Sequence, residues 1–212
     1  MSSTGRAGKV QVERRLLTAR HGARLLDRKQ HILADELERL QLRAELARTE
    51  WEGLATEAAL WLRRAAALDG SGRIGMAAPL APAGVRLRWG STMGVAYPED
   101  PECQLPAASP AVGSSALSYT ATVHRSALEA GIRYAAVQRA EKLLTAELAA
   151  TRTRQRAVEN RWIPRLEKEL MDIRRQLDAQ ELEESLRLRW AADQNAGTSR
   201  SAAPDADRKV GP

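Results

Sequence analysis

Hydrophobic and polar positions along the chain separate into two long periodic regions with an aperiodic stretch between them. From Val10 to Leu68 there is no proline, and the only glycines are Gly22 and Gly53. Leu16, Ala19, Ala23, Leu26, Gln30, Leu33, Leu37, Leu40, Ala44, Ala47, Trp51, Leu54, Ala58, Trp61, Ala65 and Leu68 alternate spacings of three and four without interruption. Of these sixteen positions only Gln30 is polar. A repeat averaging 3.5 residues stays on one side of a helix only if that helix supercoils around a partner, so the pattern predicts a left-handed coiled coil. At about 1.5 Å per residue that helix runs roughly 90 Å.

The second periodic region, about Ala121 to Trp190, carries Val137, Ala140, Leu144, Leu148, Thr151, Gln155, Val158, Trp162, Leu166, Leu170, Ile173 and Leu177. Its spacing is close to the 3.6-residue period of a nearly straight amphipathic helix. Such a helix needs a packing partner, and the first region is the obvious one. A long excursion separates them, so the two fold back antiparallel. If Leu16 meets Leu177, contacting residues have numbers adding to about 190. Trp61 then falls near Gly131 to Ala135, and Trp51 near Ala140 to Leu143. Small residues would face large rings there, and cutting a buried Trp61 to Ala is expected to cost about 3–5 kcal/mol.

Between the helices, residues 69–120 hold most of the nine prolines. Val85–Arg88 and Gly94–Tyr97 flank the turn-prone Gly90-Ser91-Thr92, which predicts a short β-hairpin at about 84–98. Gly70-Ser71-Gly72 and Gly113-Ser114-Ser115 read as linkers. The expected organisation is a flexible segment 1–9, a helix 10–68, the middle region 69–120, a helix 121–190 and a disordered tail 191–212. The fold class is all-α dominated: a long antiparallel two-helix coiled coil with a β-hairpin head between the helices.

Composition narrows the function. Aromatics make up 4% of 212 residues and Phe is absent, too little for an ordinary globular core and in keeping with long helices. Cys103 is alone, which excludes an internal disulfide and suits a reducing compartment. No apolar run reaches the ~20 residues of a membrane span, and the N-terminus has no signal-peptide apolar core. His21, His31 and His124 lack acid or Cys companions at metal spacing, no GxxxxGK[ST] loop is present, and Cys103 has no base nearby. No catalytic residue, cofactor or metal is expected. The net charge of +6 raises the possibility of RNA binding, but acids interleave with Arg and Lys almost everywhere. The exception is the run Arg152, Arg154 and Arg156, a cationic turn suited to an acidic protein groove. The two readings from other classes are a free helical scaffold or tether and a basic RNA-binding hairpin.

One feature resists the helical pattern. Pro164, in ENRWIPRLEKEL, sits inside a helix, where a proline costs about 3 kcal/mol or more. The segment AVENRWIPRLEKELMDIRRQLDAQELEESLRLR (157–189) resembles a C-terminal signature of the D subunit of the V/A-type rotary ATPases, with its Ile-Pro-x-Leu-Glu core. LLTARHGARLLDRKQHIL (16–33) is similar to that family's N-terminal signature, and GVAYPEDPE echoes its hairpin segment.

The resemblance implies a central rotor shaft, itself non-catalytic, carrying torque between a nucleotide-hydrolysing or -synthesising head and a membrane ion-translocating ring. The implied partners are the catalytic and non-catalytic head subunits, the small F-type stalk subunit and the funnel-shaped subunit above the membrane rotor ring. The implied location is the cytoplasmic side of the membrane, peripheral, without nucleic acid. Gly22, Leu25, Leu26, Trp162, Ile163, Pro164, Leu166 and Glu167 are the structural and coupling candidates. The seam is led by Leu33, Leu37, Leu40, Trp51 and Trp61, with Arg152, Arg154 and Arg156 as candidate head contacts. An off-axis shaft must be stiff yet curved, so Pro164 is expected to set a permanent bend.

Overall fold

The computed structural model describes residues 5–79, 81–107 and 113–201, with side chains to Gln194 at the C-terminal end. Helix α1 (Arg6–Ala77) is followed by strands β1 (Gly84–Thr92) and β2 (Val95–Gln104). Helix α2 (Ser115–Ala157) then runs into a π-helical turn (Val158–Trp162) and helix α3 (Ile163–Ser201). Long helices with a two-stranded antiparallel hairpin between them are the fold class that the periodicity predicts. The C-terminal helix outruns its expected end at Trp190. Residues 191–201, expected to be disordered, are helical, whereas 202–212 lie outside the described residues.

The chain divides into two compact units: residues up to Ala23 with those from Arg156 onward, and Arg24–Gln155. In the first, α1 and α3 pack antiparallel around Val12, Leu16, Ala19, Leu166, Leu170 and Ile173. Ion pairs Arg6–Glu181 (3.3 Å), Glu13–Arg174 (3.0 Å) and Arg20–Glu167 (2.7 Å) run along the flank. All three are solvent-exposed, so they fix alignment more than they stabilise.

In the second unit, α1 packs antiparallel on α2. Leu33, Leu40, Ala44, Val137, Ala140, Leu144 and Leu148 form one buried cluster, and Ala58, Val123 and Ala127 another. A polar layer sits beside the larger cluster. Lys29 Nζ donates to Glu147 Oε1 at 2.7 Å, and the fully buried Thr151 donates to the same oxygen at 3.4 Å. Gln30, the polar member of the stripe, buries its Nε2 with no hydrogen-bond acceptor among the described residues. A polar group in such a seam fixes helix register at some cost in stability.

The register in this unit differs from the expected one. Trp51 stacks on Tyr134, ring centroids 5.6 Å apart, and Trp61 meets Tyr119 edge-on at 4.6 Å. Both tryptophans therefore face residues nearer the start of α2 than the sequence suggests. Gly131 does face a large ring, but it is that of Trp51. A Cβ built on Gly131 would lie 3.0 Å from two atoms of that indole. Trp61 is only half-buried, with the Arg64 guanidinium 4.6 Å from its ring centre. Alanine recurs along both helices here, so apolar pattern alone does not select one alignment.

Where α1 ends, Gly70 takes φ 77° and breaks the helix before a last short stretch to Ala77. The preceding Asp69 accepts bonds from the backbone N–H (3.0 Å) and hydroxyl of Ser114, whose Oγ in turn accepts from Leu117 N–H at 3.3 Å. Ser114 is thus the N-cap of α2. Neither glycine-serine stretch is a plain linker: one is a helix break and the other a cap.

The hairpin is longer than expected, and its turn is Met93–Gly94, not Gly90–Thr92. Both turn residues have positive φ, 50° and 83°, as a two-residue type I′ turn requires. The ladder slips between Arg88 and Trp89, leaving Glu99 as the extra residue of a bulge. One face carries the cross-strand pairs Arg86–Glu102 and Arg88–Asp100. Tyr97 anchors the hairpin to the helices: it is buried beside the α1–α2 cluster, and its hydroxyl donates to Glu36 at 3.2 Å. That docking supplies what an isolated two-stranded hairpin lacks.

Candidate functional site

The residues singled out by sequence fall into three groups. Leu166 is essentially inaccessible, Ile163 packs against the same α1–α3 cluster, and Glu167 accepts from Arg20. Leu33 and Leu40 are buried in the α1–α2 cluster with Leu37 against them. Leu26 and Gly22 are half-buried on α1, whereas Leu25 points outward at 54% exposure. A Cβ on Gly22 would meet nothing within 4 Å, so the internal packing sets no requirement for glycine there.

Pro164 and Trp162 are the residues whose placement departs from the helical pattern. Pro164 has no N–H to give to the carbonyl four residues back, and its ring crowds that carbonyl. The helix accommodates this by widening: Ile163 N–H bonds Val158 O, five residues back, and Val158–Trp162 form a π-turn. Such a turn holds one residue more than an α-turn, so every later position rotates relative to the earlier stripe. Val158 is half-buried, Ile163 takes the next inward place, and Leu166 continues it. Trp162, expected on the seam, is displaced outward and stands 51% exposed.

The cationic group is mixed. Arg154 lies 3.6 Å from Glu147, whereas Arg152 and Arg156 are exposed without an ion pair among the described residues. A second cationic group was missed by sequence reading: Arg161 and Arg165 line a shallow depression of about 240 Å³ with Ala157, Val158 and Trp162. Arg161 and Arg165 are i, i+4 neighbours in any helix, but the π-turn turns Trp162 out beside them, and pattern counting gives no signal for a π-turn.

Two carboxylates are perturbed. The Ser114 hydrogen bond holds Asp69 below the ordinary carboxylate range, with Arg73 at 3.6 Å adding to it. Glu147 is lowered chiefly by the Lys29 hydrogen bond and further by Arg154. Both act as structural clasps, each accepting a hydrogen bond from a neighbouring hydroxyl, Ser114 at Asp69 and Thr151 at Glu147. Among the described residues no group of three or more His, Cys, Asp or Glu could hold a metal ion. No described helix is long and apolar enough to cross a membrane.

The class defined by these features is a long-helix protein whose conspicuous residues are packed in helix–helix clusters or exposed on helix faces. The family model for the D subunit of ATP synthase matches residues 9–193, and the chain belongs to that family. It is a stalk subunit of a rotary ATPase, one component of a membrane-associated multi-subunit complex. No curated protein matches the chain significantly.

Proposed function

We propose that this stalk subunit is the central rotor shaft of a V/A-type ATPase or ATP synthase, carrying torque between the nucleotide-processing head and the membrane ion-translocating ring. It makes and breaks no covalent bonds itself. The observation that carries the reading is α1. It is helical from Arg6 to Ala77 with Gly70 its one non-helical residue, and in each unit it is clamped by an antiparallel helix. A lone helix twists and bends easily; a laterally packed pair resists both, as torque transmission demands.

In this reading the partners are the head subunits, the small F-type stalk subunit and the funnel-shaped subunit above the ring, all on the cytoplasmic side. Arg152 and Arg156, exposed cations without an ion pair among the described residues, are suited to acidic surfaces of the head. The hairpin offers another surface: Val85, Leu87 and Trp89 remain exposed on one face of β1.

The test is to express the tagged chain with its native ATPase subunits. Head and stalk subunits should co-purify, and the complex reconstituted without the chain should hydrolyse ATP without pumping ions. Purification of the chain with none of these subunits, or pumping that is indifferent to it, contradicts the proposal.

A further inference from the structure

We infer that the π-turn forms a docking site for an acidic protein helix, one offering two carboxylates a turn apart and an aliphatic side chain between them. The inference rests on the rotor reading and names the chemistry of a neighbouring subunit in the motor.

Two observations point to it. Trp162 stands 51% exposed beside the depression it lines with Val158 and Ala157. Arg161, Arg165 and Lys168 are spaced i, i+4 and i+7, all exposed and without an ion pair among the described residues. Tryptophan and arginine together are the residues most enriched where binding energy concentrates. Residues four apart on a helix lie about 5–6 Å apart at Cβ, the same spacing as carboxylates at i and i+4 on a partner helix. Each guanidinium can grip a carboxylate with two hydrogen bonds.

A nucleic acid fits less well. Phosphate tracking needs a long unopposed cationic row, and Glu167, Glu169 and Asp172 interrupt this one within a few residues.

The site is tested in cells, with the whole chain carrying a photo-crosslinking amino acid in place of Trp162. Mass spectrometry should find one dominant crosslinked peptide, with Asp or Glu at i and i+4. Arg161→Glu with Arg165→Glu should lower its yield at least tenfold, and reversing the partner's two acids to Arg should restore it. Because the replaced side chains are exposed, the melting temperature should hold. The pair Arg161→Gln and Arg165→Gln should give a smaller fall in the same direction. Absence of a crosslink, a peptide without paired acids, a nucleic acid or lipid adduct, or indifference to charge reversal overturns the site. Should ATPase subunits co-purify while the crosslink fails, the rotor reading stands and this site falls. Should they not co-purify, the rotor reading falls, and the crosslinked peptide still decides the site.

Discussion

The two ends of α1 meet their partners by different means. Near its N-terminus, Val12 and Leu16 interlock with Leu166, Leu170 and Ile173, branched side chains that fill one another's gaps. Farther along, Ala58, Ala65, Ala116, Ala127 and Ala130 are buried together with Leu117 and Val123, and the large rings of Trp51 and Trp61 are half-buried. Aliphatic interlock tolerates a disturbance in backbone spacing, and the π-turn occurs beside such a cluster. An alanine-lined joint has little volume to rearrange, so its large rings need particular gaps, as Trp51 has at Gly131. Stability should therefore depend on truncation at one end and on overpacking at the other.

The largest effect should come from Leu166→Ala, which removes a side chain only 1% exposed and should cost about 2–5 kcal/mol. A fall in melting temperature on circular dichroism reads it directly. In the alanine-lined region, Ala130→Leu and Gly131→Leu should each cost about 1–3 kcal/mol by overpacking. If both were neutral, the contrast between the two ends would vanish. Trp61→Ala should cost less than full burial implies, about 1–2 kcal/mol, because the ring is half in solvent.

Gln30→Leu should raise stability by about 1 kcal/mol, since it removes a buried donor without an acceptor among the described residues. The same change should loosen register, visible as broadened double electron–electron resonance distances between labelled α1 and α2.

The smallest effect concerns pH. Asp69 and Glu147 have folded pKa values below their unfolded ones, so their stabilisation is present at neutral pH. It is lost as pH falls through the folded values, beneath the usual carboxylate range near 4. Asp69→Asn with Glu147→Gln should melt lower than wild type at pH 7, and the gap should close on acidification. A gap that widened in acid would reverse the sign of this argument.

The helices were legible because Leu16 through Ala65 hold one period that strands and loops do not carry. Other features were not, for identifiable reasons. The spacing of Val158, Trp162 and Leu166 fits an unbroken α-helix, so the cost of Pro164 was visible but the form of its accommodation was not. The hairpin turn was misplaced because Met93 is not a residue that signals positive φ, and Gly90-Ser91-Thr92 imitates a turn. Residues 191–201 carry no apolar stripe in the sequence, and a segment without one looks like a tail. Arg161 and Arg165 are i, i+4 neighbours in any helix, but the exposed ring between them follows from the π-turn that carries Trp162 outward.

The claim that this stalk component is a rotating shaft has a direct test. With the head of the reconstituted complex fixed to a surface, a bead is attached through Met93→Cys at the hairpin tip in a Cys103→Ser background. ATP should drive sustained one-way rotation of the bead, stopping when nucleotide is removed. ATP hydrolysis at an undiminished rate with a stationary bead still coupled to the hairpin would contradict the account.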